Sequence, residues 1–255
     1  MDSTPQGAAL TARRLGVRGP RGWAFQDVDV TAGPGALVAA EGPSGSGRTS
    51  LLLALTGRMR ATAGRAEVGG LPLPRAMAAV RRITAPAHVP GVTELEGALS
   101  VAEHLRERAL IQRRFTGGPR ALLRPRTERR AADAVRAEAA LAAVGLDVGA
   151  LPKGPRTLAR DLGRLPSLRL SLALALLGAP RLVAVDDVDL GLTEAERPCA
   201  WGLLRSVAEG GTTVLAACAE APRDAVVVSL GPRPNKDLRP DEEVTADALP
   251  EAGRA

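Results

Sequence analysis

An apolar run, a loop with three glycines and a second apolar run follow one another without a break over residues 36–56, and no other stretch restricts the chain as much. Ala36-Leu37-Val38-Ala39-Ala40 has no polar position, as a strand buried on both faces requires, and it is short for a helix. Residues 49–56 read as an apolar helix. Between them lies Gly42-Pro43-Ser44-Gly45-Ser46-Gly47-Arg48-Thr49, which matches G-x-x-x-x-G-K-[S/T] at every fixed position except the lysine. Glycines at 42, 45 and 47 remove the Cβ atoms that would hold an anion away from the main chain. The helix N-terminus then aims its free N–H groups at phosphate. Gly42, Pro43, Ser44, Gly45, Ser46, Gly47, Arg48, Thr49 and Ser50 are therefore the candidate nucleotide-binding residues, and the Thr49 hydroxyl is the expected oxygen ligand for Mg²⁺. A glycine turn before an ordinary helix is the plainer alternative. Arg48 keeps the charge of the missing lysine but spreads it over a plane, a poorer match to the gap between two phosphates. Neutral drift explains it too, in a chain whose lysines are Lys153 and Lys236.

A second signal is the apolar run Leu182-Val183-Ala184-Val185, which ends in Asp186-Asp187. At the C-terminal edge of a parallel sheet, Asp186 would face the glycine loop as a metal ligand, and Asp187 would stand as the catalytic base that polarises water. A solvated turn after a core strand is the alternative. Further strands are expected over residues 10–17, 25–30, 212–217 and 225–230, and helices over 99–114, 127–144, 168–177 and 193–208. In the last of these Thr193 and Glu196 have capping-box spacing, but Pro198 would then interrupt the second turn. Strands alternating with helices at both ends imply an α/β protein with a mainly parallel sheet, an antiparallel β portion at the N-terminus and an inserted helical lobe. The expected division is a discontinuous core of residues 1–90 and 178–231, a lobe of 91–177, and a Pro- and acid-rich disordered tail of 232–255.

Composition narrows the classes further. Aromatic residues make up 2% of the 255 residues, so Ala, Leu and Val must fill the core, and rings for stacking nucleic-acid bases are nearly absent. The net charge of +6 is carried almost wholly by arginine, and this alanine- and arginine-rich usage suggests a GC-rich, bacterial coding bias of actinobacterial type. Arg113, Arg114, Arg120, Arg124, Arg126, Arg129 and Arg130 cluster on the expected lobe, either as a solvated face or as a surface for acidic loops or anionic lipid. Cys199 and Cys218 have neither disulfide nor metal-site spacing, which fits a reducing compartment. His88 and His104 are far apart in sequence, and an ordinary surface role is expected for both. No targeting or membrane-spanning segment is visible in the sequence.

From Leu10 to Leu230 the chain resembles the ATP-binding subunits of ABC transporters. Leu162-Gly163-Arg164-Leu165-Pro166 followed by a helix and by Gly178-Ala179-Pro180-Arg181 is similar to the family's signature motif and its lead-in to the Walker B strand. Leu99-Ser100-Val101-Ala102-Glu103-His104-Leu105 is similar to its L-T-V-x-E-N-L segment. The resemblance implies a RecA-like P-loop NTPase core that binds ATP with Mg²⁺. It also implies a transmembrane permease subunit as partner, cassettes paired as a homo- or heterodimer, no nucleic-acid partner, and a cytoplasmic position at the inner face of the membrane. Several family positions differ. The signature has lost its serine and both glycines, Ala219 takes the place of the switch histidine, Asp187 replaces a glutamate, and no glutamine occurs from Ile83 to Glu94. Weak or lost hydrolysis is therefore expected, in an ATP-binding transporter subunit or, alternatively, in a pseudo-ATPase serving as a structural or regulatory module. A nucleic-acid-associated ABC protein fits less well.

Overall fold

The structure, a computed structural model, describes residues 7–116 and 125–231. Residues 117–119, expected as a loop, and the expected tail of 232–255 lie outside the described residues.

Two sheets enclose one buried helix. The first is antiparallel, with strand order β2-β1-β4-β5, formed by β1 (Leu10–Gly19), β2 (Gly22–Ala32), β4 (Ala63–Val68) and β5 (Leu71–Leu73). The second has the order β6-β7-β8-β3-β9, built from β6 (Thr84–His88), β7 (Leu182–Val185), β8 (Thr213–Cys218), β3 (Leu37–Glu41) and β9 (Val226–Ser229), and every pairing in it is parallel. Alternate residues of its central strands enter different cores, as the pleat dictates. Val38, Ala40, Leu182, Ala184, Leu215 and Ala217 face the antiparallel sheet. Leu37, Val183, Val185, Val214 and Ala216 face the helices on the other side. Both faces are covered, which is why these strands read as unbroken apolar runs.

Helix α1 (Arg48–Leu55) lies in the first core, where Leu51, Leu52 and Leu55 are fully buried. At about 1.5–3 kcal/mol per buried leucine, this packing fixes α1 rather than any intrinsic preference of an eight-residue helix. Helices α3 (Val101–Thr116), α4 (Arg126–Ala143) and α5 (Arg164–Leu176) follow one another between β6 and β7 and supply the second core together with α6 (Glu196–Glu209).

Three stretches depart from the expected elements. Helix α2 (Met77–Ile83) and strands β4, β5 and β6 had no counterpart in the sequence pattern; α2 has only seven residues, and Pro86 lies inside β6. Helix α5 begins at Arg164 rather than 168, with Pro166 in its first turn, where a missing N–H costs nothing. Helix α6 begins at Glu196 rather than 193, so Pro198 also falls in a first turn and interrupts nothing. Thr193 stays outside the helix and donates from its N–H and its hydroxyl to the Glu196 carboxylate at 2.9 and 2.7 Å.

Candidate functional site

The loop of residues 42–47 leaves the C-terminal end of β3 and enters α1 through Gly47, whose φ of 96° is left-handed. A Cβ at Gly47 would strike the Ala24 carbonyl of β2, and one at Gly42 would stand 2.5 Å from the Leu230 carbonyl. The glycines thus let the loop pass tightly between the two sheets. No side chain caps α1 and no acidic residue stands in its first turn, so its leading N–H groups are left for an anion. Ser46 is buried, and its hydroxyl has no hydrogen-bond partner among the described residues. Pro43, Ser44 and Gly45 are exposed at the loop's crest, and Arg48, Thr49 and Ser50 are half-buried.

Strand β7 delivers the second half of the site. The Thr49 hydroxyl donates to Asp186 Oδ2 at 2.5 Å, which joins residues 137 apart in sequence. Asp186 is buried, its N–H donates to the His88 carbonyl at 2.6 Å, and its Oδ1 accepts the Asp187 N–H at 3.1 Å. Burial pushes its carboxyl above the ordinary carboxylate range, against the opposing pull of the Thr49 bond. Two hard oxygens held together, beside a loop of free N–H groups, are the donor set that suits Mg²⁺.

Arg48 is turned across the mouth of the loop. One guanidinium nitrogen donates to the Gly42 carbonyl at 3.0 Å and another to Asp187 Oδ1 at 2.8 Å, and the Arg48 side chain is only 12% exposed. The cation of the loop is therefore paired with the residue expected as base. Asp187 has φ 45°, a left-handed conformation uncommon for aspartate, and its carbonyl accepts from Arg164. After β8, Ala219 contributes only a backbone N–H, donated to Asp189 at 2.8 Å.

Two residues in this network escaped the sequence reading. His88 ends β6 and is half-buried with its ring Nε2 2.9 Å from an Arg164 nitrogen, so the expectation of an ordinary surface histidine is corrected. Burial, and then the Arg164 charge, lower its pKa below the usual imidazole value. His104 is buried too, with its ring nitrogen 3.1 Å from the Glu96 carbonyl. The position of His88 inside residues 83–94, where the family's glutamine falls, is the available sequence signal. The arginine group is spread along the chain: Arg113 and Arg114 fall on α3, Arg126, Arg129 and Arg130 on α4, and Arg120 and Arg124 lie outside the described residues. Among the described residues no helix is long and apolar enough to cross a membrane.

Comparison with known proteins identifies the family. The model of the ABC transporter family matches residues 25–189. The cytochrome c biogenesis ATP-binding export protein of Bordetella parapertussis is 33% identical over 211 residues, covering 82% of each chain. An ABC transporter ATP-binding protein of Streptomyces coelicolor is 32% identical over 228 residues, 84% of this chain. The chain spans only 34% of that relative's length, and 36% of a similar Streptomyces avermitilis protein. Among solved structures, a dimeric bacterial ABC transporter cassette superposes with a TM-score of 0.66 at 19% identity, over 87% of this chain and 94% of its own. A cassette of a Clostridium perfringens ABC transporter complex gives 0.63 at 18% identity, over 83% and 78%.

Proposed function

We propose that this chain, which belongs to the ABC transporter family as an ATP-binding subunit, holds Mg-ATP on residues 42–50, couples to a membrane permease and hydrolyses ATP slowly or not at all. The observation that carries the reading is the 2.5 Å bond between Thr49 and Asp186, which brings the two candidate metal ligands together beside the glycine loop. The loop N–H groups and the unpartnered Ser46 hydroxyl would take phosphate oxygens, while Thr49 and Asp186 would hold the metal. A bound Mg²⁺ would neutralise phosphate charge there. Residues 91–177 are taken as the helical lobe that meets the permease, and residues 1–90 with 178–231 as the nucleotide-binding core. Pairing of two cassettes belongs to the same proposal, supported by a dimeric solved relative.

Slow turnover follows from where the polar groups point. Arg48 holds one oxygen of the candidate base Asp187 at 2.8 Å, which leaves a single carboxylate oxygen to orient water. Ala219 has no side-chain donor. Titration calorimetry with Mg-ATP tests the binding: measurable heat at millimolar nucleotide is expected, and its absence would remove the assignment. Arg48→Lys should tighten binding, because a compact lysine head fits between two phosphates better than a planar guanidinium. Steady-state phosphate release from the isolated chain should match that of an Asp186→Asn control. Robust turnover that vanishes in the control would overturn the slow-hydrolysis reading, and turnover only beside a second, intact cassette would make this chain the inactive half of an asymmetric pair. The Arg48–Asp187 pair also favours a second reading, a pseudo-ATPase module in which the ion pair itself closes the loop.

A further inference from the structure

In the segment of residues 162–166, which resembles the family's signature motif, Arg164 reaches the end of β6 and the turn after β7. Arg164, the first residue of α5, sends Nε to the Leu190 carbonyl at 2.8 Å, one terminal nitrogen to the Asp187 carbonyl at 3.1 Å and the other to His88 Nε2 at 2.9 Å. Its aliphatic stem runs over Gly191, where a Cβ would sit 4.0 Å from Cγ and Cδ. Every nitrogen of one half-buried guanidinium is thus engaged by the end of β6 or by the turn after β7.

We propose that Arg164 is a positioning residue for the Asp186–Asp187 turn of its own chain, binding the carbonyls of Asp187 and Leu190 and the His88 ring so that both carboxylates face the glycine loop. Three facts make the turn dependent on such a clamp. Asp187 is held at a left-handed φ of 45°, which residues other than glycine adopt uncommonly. The two carbonyls bracket residues 187–190, so one rigid planar group fixes both ends of the turn. The third acceptor, His88, offers its backbone carbonyl to the Asp186 N–H, so the ring contact ties the same clamp to the strand that positions Asp186. A lysine has one donor head and cannot span three acceptors in different directions.

The inference rests on the Mg-ATP reading of the site, and its test separates the two. Calorimetry with Mg-ATP is run on the full chain and on Arg164→Gln, Arg164→Lys, Asp186→Ala and the Arg164→Gln/Asp186→Ala double variant, with amide hydrogen exchange of the ligand-free proteins alongside. Arg164→Gln and Arg164→Lys are both expected to bind about tenfold more weakly, in the range of residues that orient a ligand set without touching the ligand. Loss of Arg164 should add little in the Asp186→Ala background, because the clamp acts by aiming that carboxylate. Exchange should rise at residues 187–191 and stay unchanged in β3 and β8. Additive losses in the double variant, or exchange that rises throughout, would make Arg164 a general structural contact and overturn the proposal. So would full affinity in both single variants. If the unmutated chain binds no Mg-ATP, the site reading fails first, and exchange at residues 187–191 still decides whether Arg164 holds the turn. If Arg164→Gln does not fold, Arg164→Lys carries the same readouts.

Discussion

Ser46 shows what a single residue can report. Its hydroxyl is buried without a partner among the described residues, an arrangement that costs about 1–3 kcal/mol and that a bound phosphate oxygen, on the proposed reading, would relieve. Ser46→Ala should therefore raise the melting temperature of the ligand-free protein and shrink the further rise caused by Mg-ATP; a variant that gains as much from nucleotide as the native chain would sink the assignment. The cysteines give a second residue-scale expectation. Burial pushes the Cys218 thiol up to about 12, whereas Cys199 is exposed on α6. A thiol reagent at neutral pH should modify one cysteine per native chain, and mass mapping should place it at residue 199. Gly42–Thr49 and Asp186 were legible in the sequence because their spacing is local and each follows an apolar run. Arg164 and His88 were not, because their pairing joins residues 76 apart through side-chain direction, which no periodicity encodes.

Among the elements, α1 holds the site between the sheets. Its three fully buried leucines anchor the loop's exit, while the ladder from β3 to β8 anchors its entry. Leu52→Ala is expected to cost about 2–5 kcal/mol, the usual range for a truncated core leucine, and chemical denaturation measures it directly. A loss well under 1 kcal/mol would mean that α1 is not packed as described. The helix was visible in the sequence because its apolar run follows directly on the glycine loop, as a strand–loop–helix unit requires. Helix α2 and strand β6 were hidden, one by shortness and the other by Pro86, yet β6 delivers His88 to the site.

Across the whole molecule, one titration tests how the parts are joined. His88 is neutral-favouring in the fold, its pKa lowered from 6.5 by burial and then by Arg164. The unfolded chain therefore binds the extra proton, so this contribution to stability is intact above the unfolded value near 6.5 and is lost as pH falls below it. The melting temperature should drop more between about pH 8 and pH 5.5 for the native chain than for His88→Gln, and equal drops would contradict this account. The strand that launches the phosphate loop, β3, lies between β8 and β9, with Leu37 paired to Val214 and Val38 to Val226. A nascent chain emerging from the ribosome thus completes its glycine motif long before the two strands that must flank β3 have been synthesised. Until then, β3 has no native partner to pair with, and both of its backbone edges are open to wrong ones. On the proposed reading, nucleotide cannot rescue such a chain before Asp186, 137 residues after Thr49, has been made.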